Sequence, residues 1–181
     1  MKATARYLAI LTFAAVITMM ARSSLATATP NAVEVFLPID VSESGSSVIA
    51  DFKVTDERLY IFYLNVHYRN EQQRQQIVTL VGDGGRSRNG EYANPGIVLP
   101  IRLKLATSSM FEDVTGNVKG VAGHGLGPHL SGEYVRQIHA AILKKGLYQM
   151  KITIPQGFAQ FKGVECAISV GVQPHTGPIL K

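Results

Sequence analysis

Alternation of apolar and polar residues dominates the chain beyond residue 30. Over 58–69, Tyr60, Phe62, Leu64, Val66 and Tyr68 fall on one face, and Leu59, Ile61, Tyr63, Asn65 and His67 on the other. Period two with aromatic and β-branched residues suits a pleated, half-buried surface, so this stretch predicts a strand. Its second face turns polar at Asn65 and His67, where the strand should leave the core. Over 97–105, Ile97, Leu99, Ile101, Leu103 and Leu105 alternate with residues that include Pro100, Arg102 and Lys104, predicting a strand with one wet face. Residues 47–54, 147–155 and 163–173 predict further strands. Residues 33–41 alternate as well, and Pro38 marks them as an edge strand, followed by a turn at Ser42–Ser46.

The period changes at residues 70–81. Asn70 can cap a helix, with Gln73 three residues on as its capping-box partner. Ile77, Leu80 and Val81 form a short apolar stripe, and Gly82 can end the helix. Residues 83–90 then read as a polar, Gly-rich turn, and 107–132 as a long Gly-rich connection with room for a short strand near 114–118. Residues 134–143 fit neither period well: Ile138, Ala141 and Ile142 suit a helix, while their position between strands favours a strand. Many short strands and one helix predict an all-β, immunoglobulin-like antiparallel β-sandwich with one short helix. Tyr148 follows Gly146 at a strand start, which is where a tyrosine corner would tie its hydroxyl to upstream backbone; an ordinary core aromatic is the competing reading.

The first 28 residues follow another order. Lys2 and Arg6 precede an uncharged apolar run, Tyr7–Ala21, and small residues then lead to Ala26, Ala28 and Pro30. This is the pattern of a secretory signal peptide, with cleavage expected after Ala28 and Ala26 as second choice. The run falls short of the roughly 20 residues that a spanning helix needs, so no stable membrane anchor is expected. With no cysteine near the cleavage site, a lipid anchor is not expected either. The mature chain, residues 29–181, is then one domain, destined for a periplasm or for export.

Removing the leader changes the charge. The formal net charge of +5 includes Lys2, Arg6 and Arg22, and no acid lies among the first 28 residues. Fifteen basic side chains then face thirteen acidic ones. A balance of +2 is too mild to predict nucleic-acid binding. Cys166 is the single cysteine and lies in the apolar alternation of Val164, Ile168 and Val170, so it reads as a buried, inert core thiol.

The runs Phe36–Val41, Asp51–Val54 and Leu59–Phe62, the Pro95–Ile97 and Pro100–Leu103 segments, and Leu143–Tyr148 together resemble a family of uncharacterised bacterial secreted domains. The resemblance spans nearly the whole mature chain and rests on structural residues. It implies a β-sandwich and an exported protein. It supplies no catalytic residue. Members that resemble lipoproteins carry a lipid-bearing cysteine, which this chain lacks.

Candidate chemistry is sparse. His124 and His129 sit in a Gly-rich loop and could bind Zn²⁺ or Cu²⁺. Their four intervening residues and the lack of an acid nearer than Glu133 favour a plain exposed loop, so no metal or cofactor is expected. Gly123, Gly125 and Gly127 lack the strand–helix setting of a dinucleotide loop. Asp83–Arg86 could make an anion nest, but a tight turn is the simpler reading. Asp40, Asp51 or Glu57 could meet His67 in space. No nucleophile elbow is present, and paired carboxylates could come together only through the fold.

The two long loops, 84–94 and 107–132, are the preferred recognition elements, with Arg86, Arg88, His124 and His129 as candidate binding residues. Expectation therefore centres on a non-enzymatic periplasmic domain that binds another protein, in its sharpest form an immunity or inhibitor protein against an envelope-targeting effector. A small-ligand or metal carrier is the first alternative. A hydrolase with carboxylates assembled across the sandwich is the second.

Overall fold

The computed structural model describes residues 35–86, 88–127 and 131–172. The expected leader, its cleavage site and His129 lie outside them. The elements run β1 (Val35–Pro38), β2 (Ser47–Val54), β3 (Arg58–Tyr68), α1 (Glu71–Val81), β4 (Leu99–Ala106), β5 (Phe111–Val118), β6 (Gly123–Leu126), β7 (Gly132–Leu143), β8 (Gly146–Thr153), a 3₁₀ turn (Ala159–Phe161) and β9 (Cys166–Val172). One sheet has the order β1-β9-β3-β7-β6 and the other β2-β8-β4-β5. Neighbouring strands pair antiparallel throughout. The fold is the expected antiparallel β-sandwich with one short α-helix among the described residues. Only β4–β5 and β6–β7 are hairpins within one sheet; the other connections carry the chain across to the opposite sheet.

The predicted alternation builds the core directly. Tyr60, Phe62, Leu64, Val66 and Tyr68 of β3 are buried, as are Leu99, Ile101, Leu103 and Leu105 of β4 and Met150 and Ile152 of β8. The inner faces of the two sheets meet through these side chains, and burying them provides the main favourable term. Cys166 joins this core, and burial pushes its thiol up to about 12.

Local chemistry sets the helix. Asn70 Oδ1 accepts from Gln73 N–H at 2.9 Å, while Gln73 Oε1 accepts from the N–H of Arg69 at 2.8 Å. Gly82 closes the helix at φ +91°, and a Cβ there would lie 2.1 Å from the Asn94 carbonyl oxygen. At the β7–β8 corner, Tyr148 donates its hydroxyl to Lys144 O at 2.9 Å and stacks on Phe52. A Cβ at Gly146 would meet the Tyr148 ring at 3.6 Å.

The fold departs from the sequence pattern in three places. β3 does not leave the core at Asn65, which is buried and donates to Ser169 Oγ at 2.7 Å, and burial continues to Tyr68. Residues 134–143 are all strand, and the weak alternation there has a cause. The β3–β7 register shifts between Phe62 and Tyr63, so that Arg136 pairs with Leu64 but His139 pairs with Phe62. The bulge moves the inward face from Tyr134 and Arg136 to Ala141 and Leu143. The expected long connection, 107–132, contains β5 and β6. β5 starts earlier than the apolar signal near Val114, and β6 is Gly-His-Gly-Leu, which carries no apolar alternation.

Arg136 is fully buried between the sheets. Its guanidinium donates to the carbonyl oxygens of Gly120 (3.1 Å), Val118 (3.0 Å), Ile97 (2.9 Å) and Pro95 (3.2 Å). Burial pushes this group down to about 10, leaving it charged at neutral pH. The side chain ties the segment before β4 to the end of β5, and so fixes the path into β6.

Candidate functional site

The C-terminal end of β3 gathers the densest set of titratable side chains. Register puts His67 opposite Glu133 on the outer face of the sheet, and Val66 opposite Tyr134 on the inner face. The β6–β7 hairpin adds Gly125 opposite Glu133 and His124 opposite Tyr134. On the inner face, Tyr68 hydroxyl and His124 Nε2 are 2.7 Å apart in a hydrogen bond, and the His124 ring stacks on Tyr134 with centroids 4.9 Å apart. Burial raises the Tyr68 hydroxyl, which keeps it neutral. Arg74 of α1 donates to Tyr134 hydroxyl at 3.3 Å and to Glu71 at 2.8 Å.

On the outer face, His67 Nδ1 lies 3.7 Å from Glu133 Oε2. His67 thus faces Glu133, not Asp40, Asp51 or Glu57. Phe36 of β1 packs edge-on against the His67 ring at 5.5 Å. Arg69 donates to Glu165 at 2.9 Å and holds that carboxyl below its usual range.

These groups border an open cleft of about 440 Å³, lined by His67, Tyr68, Arg69, Glu133, Glu165 and Leu126 among others. Leu126 is 76% exposed and Phe36 53% exposed. Gly125 lies against Glu133: a Cβ at Gly125 would meet its side chain at 3.2 Å. A larger groove of about 570 Å³ runs between α1 and the 3₁₀ turn, and neutral Gln73, Gln76 and Gln160 line much of it. The smaller cleft has the stronger chemistry, because charge, imidazole and exposed apolar surface meet there.

Of the sequence candidates, His124 belongs to this cluster, and its bond to Tyr68 occupies one ring nitrogen. Arg86 does not line the cleft. It closes a turn on itself, with its guanidinium 4.6 Å from the Tyr92 ring centroid and a 2.8 Å bond to the Tyr92 hydroxyl. Arg88 is exposed in the same turn. Among the described residues no group of three or more His, Cys, Asp and Glu side chains could hold a metal ion. Glu133 and Glu165 do share one cleft, which sequence spacing could not show. Arg69 favours the ionised form of Glu165, which is opposite to what a general acid needs. Arg69 and Glu165 carry no signal in the sequence. The sequence offers Asp40, Asp51 or Glu57 as partners for His67 and brings in Glu133 only beside the histidine loop, because the β3–β7 register that joins His67 to Glu133 is not a local property.

Fold and site together define an antiparallel β-sandwich with an open, charge-rimmed cleft at one end. The chain belongs to the family described as Domain of unknown function (DUF5625), whose model matches residues 36–172. No curated protein matches it. Among solved structures it is similar to a protein from Sulfurospirillum deleyianum, with a TM-score of 0.61 and 22% identity over 81% of this chain and 100% of that one. At that identity the likeness concerns the fold alone. Among the described residues no helix is long and apolar enough to cross a membrane.

Proposed function

We propose that this chain is an exported, non-enzymatic protein-binding domain that inhibits an effector directed at the cell envelope, as an immunity protein does. One observation carries the reading: the cleft between β3, β6 and β7 pairs an apolar anchor with a charged rim. Exposed Leu126 lines it together with Arg69, Glu133 and Glu165, and exposed Phe36 packs on the ring of His67, another lining residue. A central apolar anchor surrounded by polar groups is the usual anatomy of a protein interface. The leader pattern of residues 1–28 motivates the address, with the mature protein acting in a periplasm or outside the cell.

The test is affinity capture with mature protein, residues 29–181, from native envelope extract, followed by binding of the purified partner. The expected result is one dominant protein whose affinity falls at least tenfold with Leu126→Asp. Capture that is indifferent to Leu126→Asp and to Phe36→Ser, or no capture at all, refutes the reading.

A further inference from the structure

The overall charge of the mature chain is nearly balanced, but its distribution is not. On the outer face of the β2-β8-β4-β5 sheet, Lys53, Arg102, Lys104 and Lys151 meet only Asp51 and Asp113. The β7–β8 corner adds Lys144 and Lys145, both exposed. Asp113 is engaged twice, by a two-pronged contact from Arg102 and by Lys104 at 3.5 Å. Asp51 accepts a bond from Gln149. Lys53 and Lys151 therefore make no ion pair among the described residues.

The register adds a second anomaly. Lys104 and Lys151 are direct partners across β4 and β8. Like charges opposite one another destabilise a sheet. Asp113 lies on the far side of Lys104, leaving Lys151 uncompensated. Ile49 sits beside Lys151 on β2, and Leu147 and Phe111 stand 73% and 67% exposed on the same face. Arg102 and Lys104 are engaged by Asp113, and Lys104 lies over the Phe111 ring at 5.9 Å, but Lys151 and Lys53 gain no ion pair within the described fold.

We propose that this sheet face is a docking surface for an acidic protein surface, separate from the cleft. Carboxylates of the partner would face Lys151, Lys53 and Lys104, and its apolar side chains would cover Ile49, Leu147 and Phe111. An acidic protein fits better than an anionic membrane because Asp51, two residues before Lys53, and Asp113, opposite Lys104, hold fixed ladder positions on the same face. A partner with its own pattern of charges can avoid them, whereas a uniform layer of anionic headgroups meets them head-on. The proposal extends the protein-binding reading to a second face, and either can fail without the other.

The probe is fluorescein-labelled poly-L-glutamate at about 150 mM salt, where the Debye length of roughly 8 Å leaves mainly short-range pairing. Lys104→Glu/Lys151→Glu should weaken binding at least tenfold. Arg88→Glu/Lys162→Glu makes the same change in net charge elsewhere on the surface and should stay within twofold of the parent. Leu126→Asp, in the cleft, should also leave this binding unchanged. Lys151→Glu alone should raise Tm by about 1–3 °C, because the new carboxylate faces Lys104. Equal losses in both double variants would overturn the proposal, because net charge rather than this face would then govern binding. So would binding to phosphatidylglycerol vesicles without binding to poly-L-glutamate, which would assign the face to a membrane surface. No gain in Tm would remove the like-charge argument and overturn it as well.

Discussion

Arg136→Met isolates the contribution of the buried guanidinium. Methionine fills much of the same volume without donating a hydrogen bond. Four carbonyl oxygens, those of Pro95, Ile97, Val118 and Gly120, would lose this donor inside the protein, and that of Pro95 keeps another, the Gly120 N–H at 2.7 Å. A buried acceptor left unsatisfied costs about 1–3 kcal/mol. For the other three this would come to about 3–9 kcal/mol. Two effects offset part of this. The parent keeps a cation buried without a carboxylate, and its Nη1 has no partner. Removing that charge returns several kcal/mol of desolvation. The carbonyls belong to the backbone, however, and no side-chain substitution can remove them with the cation. The net loss should be about 2–5 kcal/mol.

For a domain of this size each kcal/mol moves Tm by about 2–4 °C, so the drop should be about 4–20 °C. Urea unfolding of residues 29–181 measures the free energy directly. Arg136→Lys should fall between parent and methionine variant, because one ammonium cannot span four carbonyls. Hydrogen exchange should quicken first in β6, which follows the Gly120 segment that Arg136 holds. A methionine variant as stable as the parent would refute the reasoning: the carbonyls would then find other donors, and Arg136 would not lock the path into β6.

Two other outcomes follow from local geometry and charge. Tyr148→Phe removes one hydrogen bond, to Lys144 O, and keeps the stacking on Phe52, so it should cost about 0.5–1.5 kcal/mol in the same urea assay; no change would mean that the corner is held by packing alone. Asp40, Asp113 and Glu165 are held below their ordinary values of 3.8, 3.8 and 4.5 by bonds from Ser42, Arg102 and Arg69 respectively. On acidification the unfolded chain therefore takes up these protons first. The stability they contribute is present above the unfolded values and is lost as pH falls through the folded ones. The urea midpoint should lose this contribution only below about pH 5, and a midpoint that rises on acidification from pH 5 to 3 would contradict it.

Much of the fold was legible because it rests on short-range rules. The alternation in β3 and β4 requires only that one face of a strand meet a core. The Asn70 cap and the Gly82 stop act within a few residues of the helix they bound. Cys166 shared an apolar face with its neighbours, so its burial could be read without coordinates. The β7 strand was harder, because its bulge changes the phase of the pattern halfway and two half-patterns resemble none. β6 was illegible: two glycines, a histidine and a leucine state no preference, and pairing with β7 alone makes them a strand.

The sequence by itself thus determined the helix, most of the strands and the faces they bury, and the family to which the chain belongs. Only the tertiary structure decided which polar residues meet. Cross-strand register sets His67 against Glu133 across more than 60 residues of chain, brings His124 to Tyr68, and puts Lys104 beside Lys151. Sandwich packing buries Arg136 among carbonyls from loops distant in sequence. Hydrophobic patterning is a local property of each strand, whereas charge pairing depends on which strands become neighbours and in what register.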